Sequence, residues 1–139
     1  MALSLVLLIA ACHEDDPTPA CAIQIGAQDR VFEFLHQTTG DTYLAWTSNP
    51  TVIQQVEAQL ALPQGQRNQH INGKILRMPE HCALNQQWSW YFAPGDWSLV
   101  DQSIEICDGN PQFVEENLAE FVDNVGRYCP WSAIVLREQ

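Results

Sequence analysis

Two stretches with the same order of residue types decide the fold: SNPTVIQQVEAQL at residues 48–60 and GNPQFVEENLAEF at residues 109–121. In each, an Asn whose side-chain oxygen can cap a helix precedes a Pro, which suits the first helical position because its missing N–H has no partner there. Apolar residues then recur at helical spacing. The pattern predicts two amphipathic helices, the first ending before Pro63 and the second at Gly126.

Runs of alternating apolar and polar residues predict strands on both sides of each helix. These strands are Arg30–Gln37, Thr42–Ser48, His70–Met78, Gln87–Pro94, Gln102–Asp108 and Trp131–Glu138. The order is β-β-α-β-β-β-α-β, and the single apolar face of each helix must cover a sheet. We therefore predict an α+β fold, a mainly antiparallel sheet with two helices packed on one face, ferredoxin-like with an added N-terminal strand.

The composition limits the classes of function. The chain has 139 residues, which suits one domain, and 46% of them are hydrophobic, which is enough for a core. Six Lys and Arg stand against seventeen Asp and Glu, so the net charge is −11, and the basic residues form no cluster. Nucleic-acid binding and adsorption to an anionic membrane surface both need positive charge, so the sequence predicts neither.

The first eleven residues, MALSLVLLIAA, form an apolar run too short to span a membrane, and they match the core of a secretory signal. The run ends in Ile9-Ala10-Ala11-Cys12, which resembles the lipobox of bacterial lipoproteins. We therefore predict export to the bacterial cell envelope, with Cys12 carrying a lipid that tethers the protein to a membrane. The alternative is an ordinary cleaved signal and a secreted soluble protein. The signal has no basic start, which points to an initiation site upstream of Met1.

Residues 12–28 begin with CHEDDPTPA, which has three acids and two prolines. Such a segment buries too little apolar surface to offset the entropy of ordering it, so we interpret it as an acidic, Pro-containing tether. The single α+β domain is predicted to span residues 29–139.

The five cysteines are used most simply in two ways. If Cys12 carries lipid, the even set of Cys21, Cys82, Cys107 and Cys129 remains, which is typical of a disulfide framework in an exported protein. Zinc sites favour close pairs, and no two cysteines here are closer than nine positions in the chain.

No sequence motif for nucleotide, phosphate, zinc, calcium or serine-hydrolase chemistry is present. His36, His70 and His81 are isolated from one another. Although His81 lies beside Cys82, adjacent side chains on an extended backbone point apart, which disfavours a Cys-His nucleophile. The sequence predicts no metal site, no cofactor and no catalytic residue.

Aromatic residues are the most suggestive feature, and the segment WSWYFAPGDW at residues 88–97 concentrates them. Strand alternation places Trp88, Trp90 and Phe92 on one face, which we predict to be core. The aromatic residues on the other face or near turns are the candidates for ligand contact: Tyr91, Trp97 and Trp131.

The chain also resembles the family of small secreted proteins named for the N-terminal domain of BP-seventy-four. The shared motifs are I-x-G-x-I, W-S-aromatic before a Pro, I-E-aliphatic-C-D, V-E-E-N/H-L and C-P-W-S. They fall at Ile71 to Ile75, Trp88 to Pro94, Ile104 to Asp108, Val114 to Leu118 and Cys129 to Ser132. The match spans roughly Arg30 to Glu138. The resemblance implies a common α+β domain and export, and it implies no catalytic mechanism.

Four cysteines can pair in three ways, and we predict Cys107–Cys129 and Cys21–Cys82. The first bridge would clamp the second helix between its flanking strands, and both of its cysteines lie within the family-like motifs. The other two cysteines lie outside those motifs, and two cysteines gained together are most simply partners. The alternative is a free Cys21 in a mobile N-terminus.

Two hypotheses for function remain. The first is a surface-tethered binding module for a glycan, a peptide or an envelope protein. The second is a small cell-envelope hydrolase that uses Asp96, Asp101 or His70 as acid or base. An enzyme needs a pocket in which titratable groups converge, so finding His70, His81 and Asp101 on separate surfaces would count against the second.

Overall fold

The computed structural model describes residues 17–139. Its elements are strands β1 (Arg30–His36) and β2 (Thr42–Thr47), helix α1 (Pro50–Leu60), strands β3 (His70–Arg77) and β4 (Trp90–Val100), helix α2 (Pro111–Glu116), a π-helix (Glu120–Val125) and strand β5 (Ala133–Glu138). Single turns of 3-10 helix occupy Gln64–Gln66 and Glu105–Cys107. The predicted signal at residues 1–11 and the predicted lipid site Cys12 lie outside the described residues.

The strands form two antiparallel sheets, one in the order β2-β1-β5 and one that pairs β3 with β4. The predicted α+β class and its antiparallel strands are confirmed. The topology differs in that two sheets replace the single ferredoxin-like sheet. Helix α1 contacts both β4 and β5, so it packs across the two sheets, whereas the π-helix contacts β3.

Side chains explain why the sheets stay separate. Strand β2 is at the edge of the larger sheet, and its alternate residues 42, 44 and 46 direct backbone groups away from β1. Side chains bond three of these groups: Trp88 Nε1 donates to Thr42 O at 2.7 Å, Leu44 N donates to Asn85 Oδ1 at 2.6 Å, and Trp97 Nε1 donates to Trp46 O at 2.9 Å. An edge whose groups are bonded to side chains cannot pair with another strand.

The core fills the space between the two sheets, and aromatic rings dominate it. The ring of Tyr43 lies with its centroid between 5.5 and 6.2 Å from those of Phe34, Trp90, Phe92 and Tyr128. These contacts bring both sheets and the segment before β5 together. Each such pair adds about 0.5–1.5 kcal/mol beyond the burial of its apolar area.

Strand β4 changes its inward face halfway along. Trp90 and Phe92 point into the core. Phe92 pairs with Ile75, and the next pair down the ladder joins Trp97 to Gly73. From the first of these pairs to the second, β4 advances by five positions and β3 by two. Strand β4 therefore contains three extra residues, which form a bulge. Because three is odd, the alternation is reversed and Trp97 also points inward.

Gly73 allows two backbone segments to approach it closely. A Cβ at this position would lie 2.3 Å from Trp97 Cβ and 2.6 Å from Asp96 O. The residue also exchanges two backbone hydrogen bonds with Tyr128, at 3.1 and 2.9 Å. No other residue type fits between β4 and Tyr128 without displacing backbone.

The first Asn-Pro helix forms as predicted. Asn49 Oδ1 accepts hydrogen bonds from the N–H groups of Thr51 at 3.0 Å and Val52 at 3.5 Å, which caps α1. Val52 and Val56 are buried against the core. This segment behaves as its local sequence dictates because cap, Pro and apolar stripe all agree.

The second Asn-Pro helix begins as predicted but is not continuous. Asn110 Oδ1 caps α2 by accepting from Phe113 N at 2.8 Å, and Gly126 ends the π-helix with a φ of 72°. Between them, Asn117 leaves helical geometry with φ −124° and ψ 36°. Its side-chain Nδ2 donates to Phe113 O at 2.8 Å, so a local side-chain bond competes with the helical ladder.

The predicted strand Gln102–Asp108 is wrong, because this segment is a loop with one 3-10 turn. Its alternating Ile104 and Ile106 are 68% and 65% exposed. The neighbouring edge of β3 is occupied by the Gly73–Tyr128 bridge. The alternating pattern of apolar and polar residues in this segment comes from exposed side chains on a loop. The segment has no free strand edge with which to pair.

Both predicted disulfides are present. Cys107 and Cys129 have Cα atoms 5.1 Å apart, and those of Cys21 and Cys82 are 4.8 Å apart. The described part of the predicted tether, residues 17–28, contains no helix or strand. The second bridge fixes this segment to the loop before β4.

Candidate functional site

The loop at residues 101–110 between β4 and α2 is held at several points. The Cys107–Cys129 disulfide joins it to the segment before β5, and Cys129 N donates to Cys107 O at 2.8 Å. Ile104 O lies 3.3 and 3.4 Å from the two sulfur atoms. The loop is therefore fixed around its own disulfide, and the side chains it presents are held in place.

Trp131 is the exposed tryptophan of the protein. The residue is 48% exposed, whereas Trp46, Trp88, Trp90 and Trp97 are at most 4% exposed. Two hydrogen bonds orient it. Trp131 N donates to Asp108 Oδ1 at 2.9 Å, and the indole Nε1 donates to Ser103 Oγ at 2.9 Å. These bonds hold an exposed aromatic residue in a fixed orientation.

Ser103 also bonds His70, since Ser103 Oγ lies 2.6 Å from His70 Nε2. An indole N–H can only donate, so Ser103 Oγ accepts from Trp131. Toward His70 the hydroxyl donates or accepts according to the tautomer of the imidazole. Burial lowers the pKa of His70 below its ordinary 6.5, and the carboxylates of Asp108 and Asp101 oppose this shift only in part.

These side chains line a cleft of about 410 Å³, here named the Trp131 cleft. Its lining consists of Asn68, His70, Asp101, Gln102, Ser103 and Trp131. Two amides, a carboxylate, a hydroxyl and an indole face converge on one space. A polar ligand with an apolar face fits such a set.

Ser103 separates this cleft from a second one of about 470 Å³, here named the isoleucine cleft. Ile104 and Ile106 line it, together with Asn72, Cys107, Asn124, Val125 and Arg127. Both clefts therefore belong to one surface that is continuous across Ser103.

The loop at residues 101–110 carries three acidic residues and no basic one. Asp101 and Glu105 are exposed, and Asp108 is half-buried beside Trp131. Among the described residues that line the two clefts, Arg127 is the one permanent cation. Its guanidinium is paired with Asp96 at 3.1 Å, so it neutralises a carboxylate that lies outside both clefts.

The predicted aromatic contact residues divide into three cases. Trp131 is exposed, in agreement with the prediction. Tyr91 is half-buried, and its ring is stacked on that of Trp46 with centroids 5.5 Å apart. Trp97 is 4% exposed, so predicting it at the surface was wrong. The bulge after Phe92 reverses the alternation and turns Trp97 into the core.

The predicted core residues Trp88, Trp90 and Phe92 are all buried, at 4%, 0% and 0% exposure. The acid and base residues considered for the hydrolase are not all together. His70 and Asp101 line the Trp131 cleft, whereas His81 lines a separate cleft beside Cys82. Asp96 lies elsewhere, paired with Arg127.

Sequence reasoning missed three residues that make this surface. Ser103 carries no motif, and its role depends on contacts with His70 and Trp131, which are 33 and 28 residues away. Ile104 and Ile106 were assigned to a strand. One signal in the sequence could have identified these residues. The strand predicted for them also contains the polar residues Ser103 and Asp108, close to a turn with an aromatic residue.

A metal site is not formed by the described part of the chain. Among residues 17–139, no group of three or more His, Cys, Asp or Glu side chains is arranged to hold an ion. The lining residues of the two clefts offer hydrogen bonds and apolar contact, and Asp101 adds a carboxylate to the Trp131 cleft.

Comparison with protein-family models matches residues 28–139 to the N-terminal domain of BP-seventy-four. This match covers most of the chain, so the protein belongs to that family. No curated protein and no solved structure is similar enough to count as a match. The resemblance predicted from the motifs of the C-terminal half is thereby confirmed over the whole α+β domain.

Proposed function

We propose that this member of the BP-seventy-four N-terminal domain family is an extracytoplasmic binding module, tethered by a lipid on Cys12, whose ligand contacts the Trp131 cleft. The observation that carries the proposal is the state of the five tryptophans. Four are buried, and the one exposed ring lies in a cleft lined by oriented polar groups. A solvent-exposed aromatic with satisfied polar neighbours is typical of a recognition surface.

The disulfides support the extracytoplasmic part of the proposal. All four cysteines in the described residues are paired, and such bridges persist in oxidising compartments. Within residues 17–139, no helix has the length and apolar character needed to cross a membrane. Attachment through Cys12 would hold the domain at a membrane by its N-terminal tether, with Cys21–Cys82 fixing where the tether leaves the domain.

Expression of a Cys12→Ser variant followed by membrane fractionation tests the tether. We expect the wild-type protein in the membrane fraction and the variant in the soluble fraction. Cys21→Ser together with Cys82→Ser is the matched control, because it removes cysteines without touching the lipid site. Membrane association of Cys12→Ser equal to that of the wild type would sink the lipid anchor.

Trp131 also provides the test of ligand binding. We expect acrylamide to quench the fluorescence of Trp131 most, since the other four indoles are buried. A ligand selected from glycan and peptide arrays should protect this signal, and Trp131→Ala should weaken its binding roughly tenfold or more. If Trp131→Ala binds every selected ligand as tightly as the wild type, the proposal fails.

The Ser103–His70 contact favours hydrolysis as a second candidate function. A serine hydroxyl oxygen 2.6 Å from an imidazole nitrogen has the arrangement of a nucleophile and its base. Two features place it second. Trp131 already donates to the same Oγ, which withdraws electron density from the oxygen. In the described residues, no carboxylate bonds His70 Nδ1 to orient it.

A fluorophosphonate probe distinguishes the two candidates, because it labels activated serines covalently. Labelling that Ser103→Ala and His70→Ala both abolish would establish the hydrolase. The absence of labelling, with ligand binding retained, would leave the binding module.

A further inference from the structure

We infer that the ligand of this surface is a basic, apolar segment of a partner protein. This inference rests on the proposed function and names the class of its ligand. It extends the binding surface from the Trp131 cleft across Ser103 to the isoleucine cleft.

Exposed apolar side chains are concentrated on this one side of the domain. Four of the five large hydrophobic residues exposed in the described part of the chain lie between residues 104 and 131. They are Ile104, Ile106, Phe113 and Trp131, and the fifth is Ile25. Of these, Trp131 lines the Trp131 cleft, and Ile104 and Ile106 line the isoleucine cleft. Scattered single hydrophobic residues need no explanation, but exposed apolar side chains in two adjoining clefts mark an interaction surface.

The isoleucines are held rather than mobile. Ile104 lies over the Cys107–Cys129 bridge, with its carbonyl oxygen within 3.4 Å of both sulfur atoms. Asp108 N donates to Glu105 O at 2.9 Å, which closes the turn containing Ile106. A partner therefore meets a preformed surface and loses little entropy in ordering it.

Electrostatics selects the charge of the partner. Glu105 is exposed and stands between Ile104 and Ile106 in the chain, and Asp101 lines the Trp131 cleft. The permanent cation of the surface, Arg127, is already paired with Asp96. With a net charge of −11 on the chain, the local and overall fields both favour lysine and arginine side chains on the partner.

The same observations rank a neutral glycan lower. A sugar ring would use the face of Trp131 and the polar groups around it, but it would leave Ile104 and Ile106 uncovered. A segment that combines apolar side chains with basic ones uses both clefts and the acidic residues around them. Because Ser103 lines both clefts, one continuous contact is possible.

Three synthetic peptides without tryptophan test the inference on the purified full chain with both disulfides formed. The first places leucine and lysine at helical spacing. The second replaces each lysine with glutamate, and the third replaces each leucine with serine. Quenching of Trp131 by acrylamide and isothermal titration report binding. We expect the leucine–lysine peptide to bind at least tenfold more tightly than either other peptide, and less tightly as salt rises.

Surface variants locate the binding and control for unspecific attraction of a cationic peptide. Ile104→Ser and Ile106→Ser should each weaken it roughly tenfold, since they remove apolar contact from the centre of the surface. Glu105→Gln should weaken it several-fold and reduce its salt dependence. Ile25→Ser is the matched control, because Ile25 is exposed but lies outside the surface, and it should leave the affinity unchanged.

Several outcomes overturn the inference. Equal affinity for the lysine and glutamate peptides would remove the charge argument, and unchanged affinity in Ile104→Ser and Ile106→Ser would remove the apolar one. Protection of Trp131 by a neutral glycan alone would overturn the ligand class and leave the proposed function standing, as would self-association that Ile104→Ser abolishes. Binding of every probe unchanged by Trp131→Ala would overturn the inference and the proposed function together.

Discussion

Trp97 and Trp131 make the same kind of hydrogen bond and do opposite things for the protein. The indole of Trp97 donates to Trp46 O at 2.9 Å, and that of Trp131 donates to Ser103 Oγ at the same distance. The first bond satisfies an edge strand inside the core. The second orients an exposed ring above a cleft. In both residues the indole N–H is hydrogen-bonded, so this bond does not decide the role. The role follows from whether the ring is buried in the core or exposed at the surface.

The two regions also differ in what fixes them. At the outer edge of β2, Asn85 is fully buried and bonds both Leu44 N and Trp90 O, at 2.6 and 2.7 Å. These backbone groups are bonded by side chains inside the protein. On the Trp131 surface, the disulfide and Ser103 hold the loop, and apolar side chains remain uncovered. We therefore expect substitutions in the first region to change stability and those in the second to change binding.

The largest effect is expected for Gly73→Ala, which attacks the buried region. The new Cβ would meet Trp97 Cβ at 2.3 Å and Asp96 O at 2.6 Å, so backbone must shift. We expect a loss of about 3 kcal/mol or more in the free energy of unfolding, measured by urea denaturation. Gly65→Ala is the control, since its Cβ would meet nothing within 4 Å. Equal stability of the two variants would refute the account of the β3–β4 bulge.

Trp97→Phe and Trp131→Phe compare the two indoles directly. The first leaves the buried Trp46 O without its donor and removes ring volume from the core, so we expect a loss of about 2–3 kcal/mol. The second removes a bond at the surface and should cost less than about 1 kcal/mol. Denaturation of the pair checks both values. A larger loss in Trp131→Phe would reverse our assignment of the two roles.

Helix starts, hairpin and core face were predictable because short sequences dictate them. Asn49 and Asn110 both cap helices, and their signals lie within four residues of each cap. The bulge in β4 was not predictable in the same way. Its three extra residues follow from Gly73 and Tyr128, which come from distant parts of the chain. Because this bulge contains an odd number of extra residues, Trp97 points to the face opposite to the one that simple alternation predicts.

The candidate site was predictable only in its centre. Trp131 was identified because it lies near a turn, outside the alternation that marks the core face. Ser103 and His70 gain their roles only when the loop is closed by Cys107–Cys129. Ile104 and Ile106 alternate like strand residues, and a sequence does not reveal that the edge they would pair with is already taken.

A change of pH acts on the Trp131 surface because His70 lies beneath it. Burial lowers the pKa of His70 and of His36, so the folded chain takes up protons on them less readily than the unfolded chain. Stability is therefore complete above about pH 6.5 and falls as the pH drops below it. Urea denaturation at pH 7.5 and 5.5 should show this fall, and His70→Gln should reduce it. Greater stability at pH 5.5 would contradict the assignment.

The smallest effect is expected for Tyr43→Phe at the centre of the aromatic core. The hydroxyl of Tyr43 is buried and has no hydrogen-bond partner among the described residues. Removing it should leave the free energy of unfolding unchanged within about 0.5 kcal/mol or raise it, because no bond is lost. A loss above about 1 kcal/mol in denaturation would reveal a partner for this group.

The most direct test of the ligand surface follows the five indole N–H signals of the protein by nuclear magnetic resonance during ligand titration. Assignment uses single Trp→Phe variants, and the leucine–lysine peptide is the first ligand to titrate. We predict that the Trp131 signal shifts progressively, together with the backbone amides of residues 101–110, while the signals of the four buried indoles stay in place. A bound ligand that leaves the Trp131 signal unmoved and shifts amides elsewhere would contradict it.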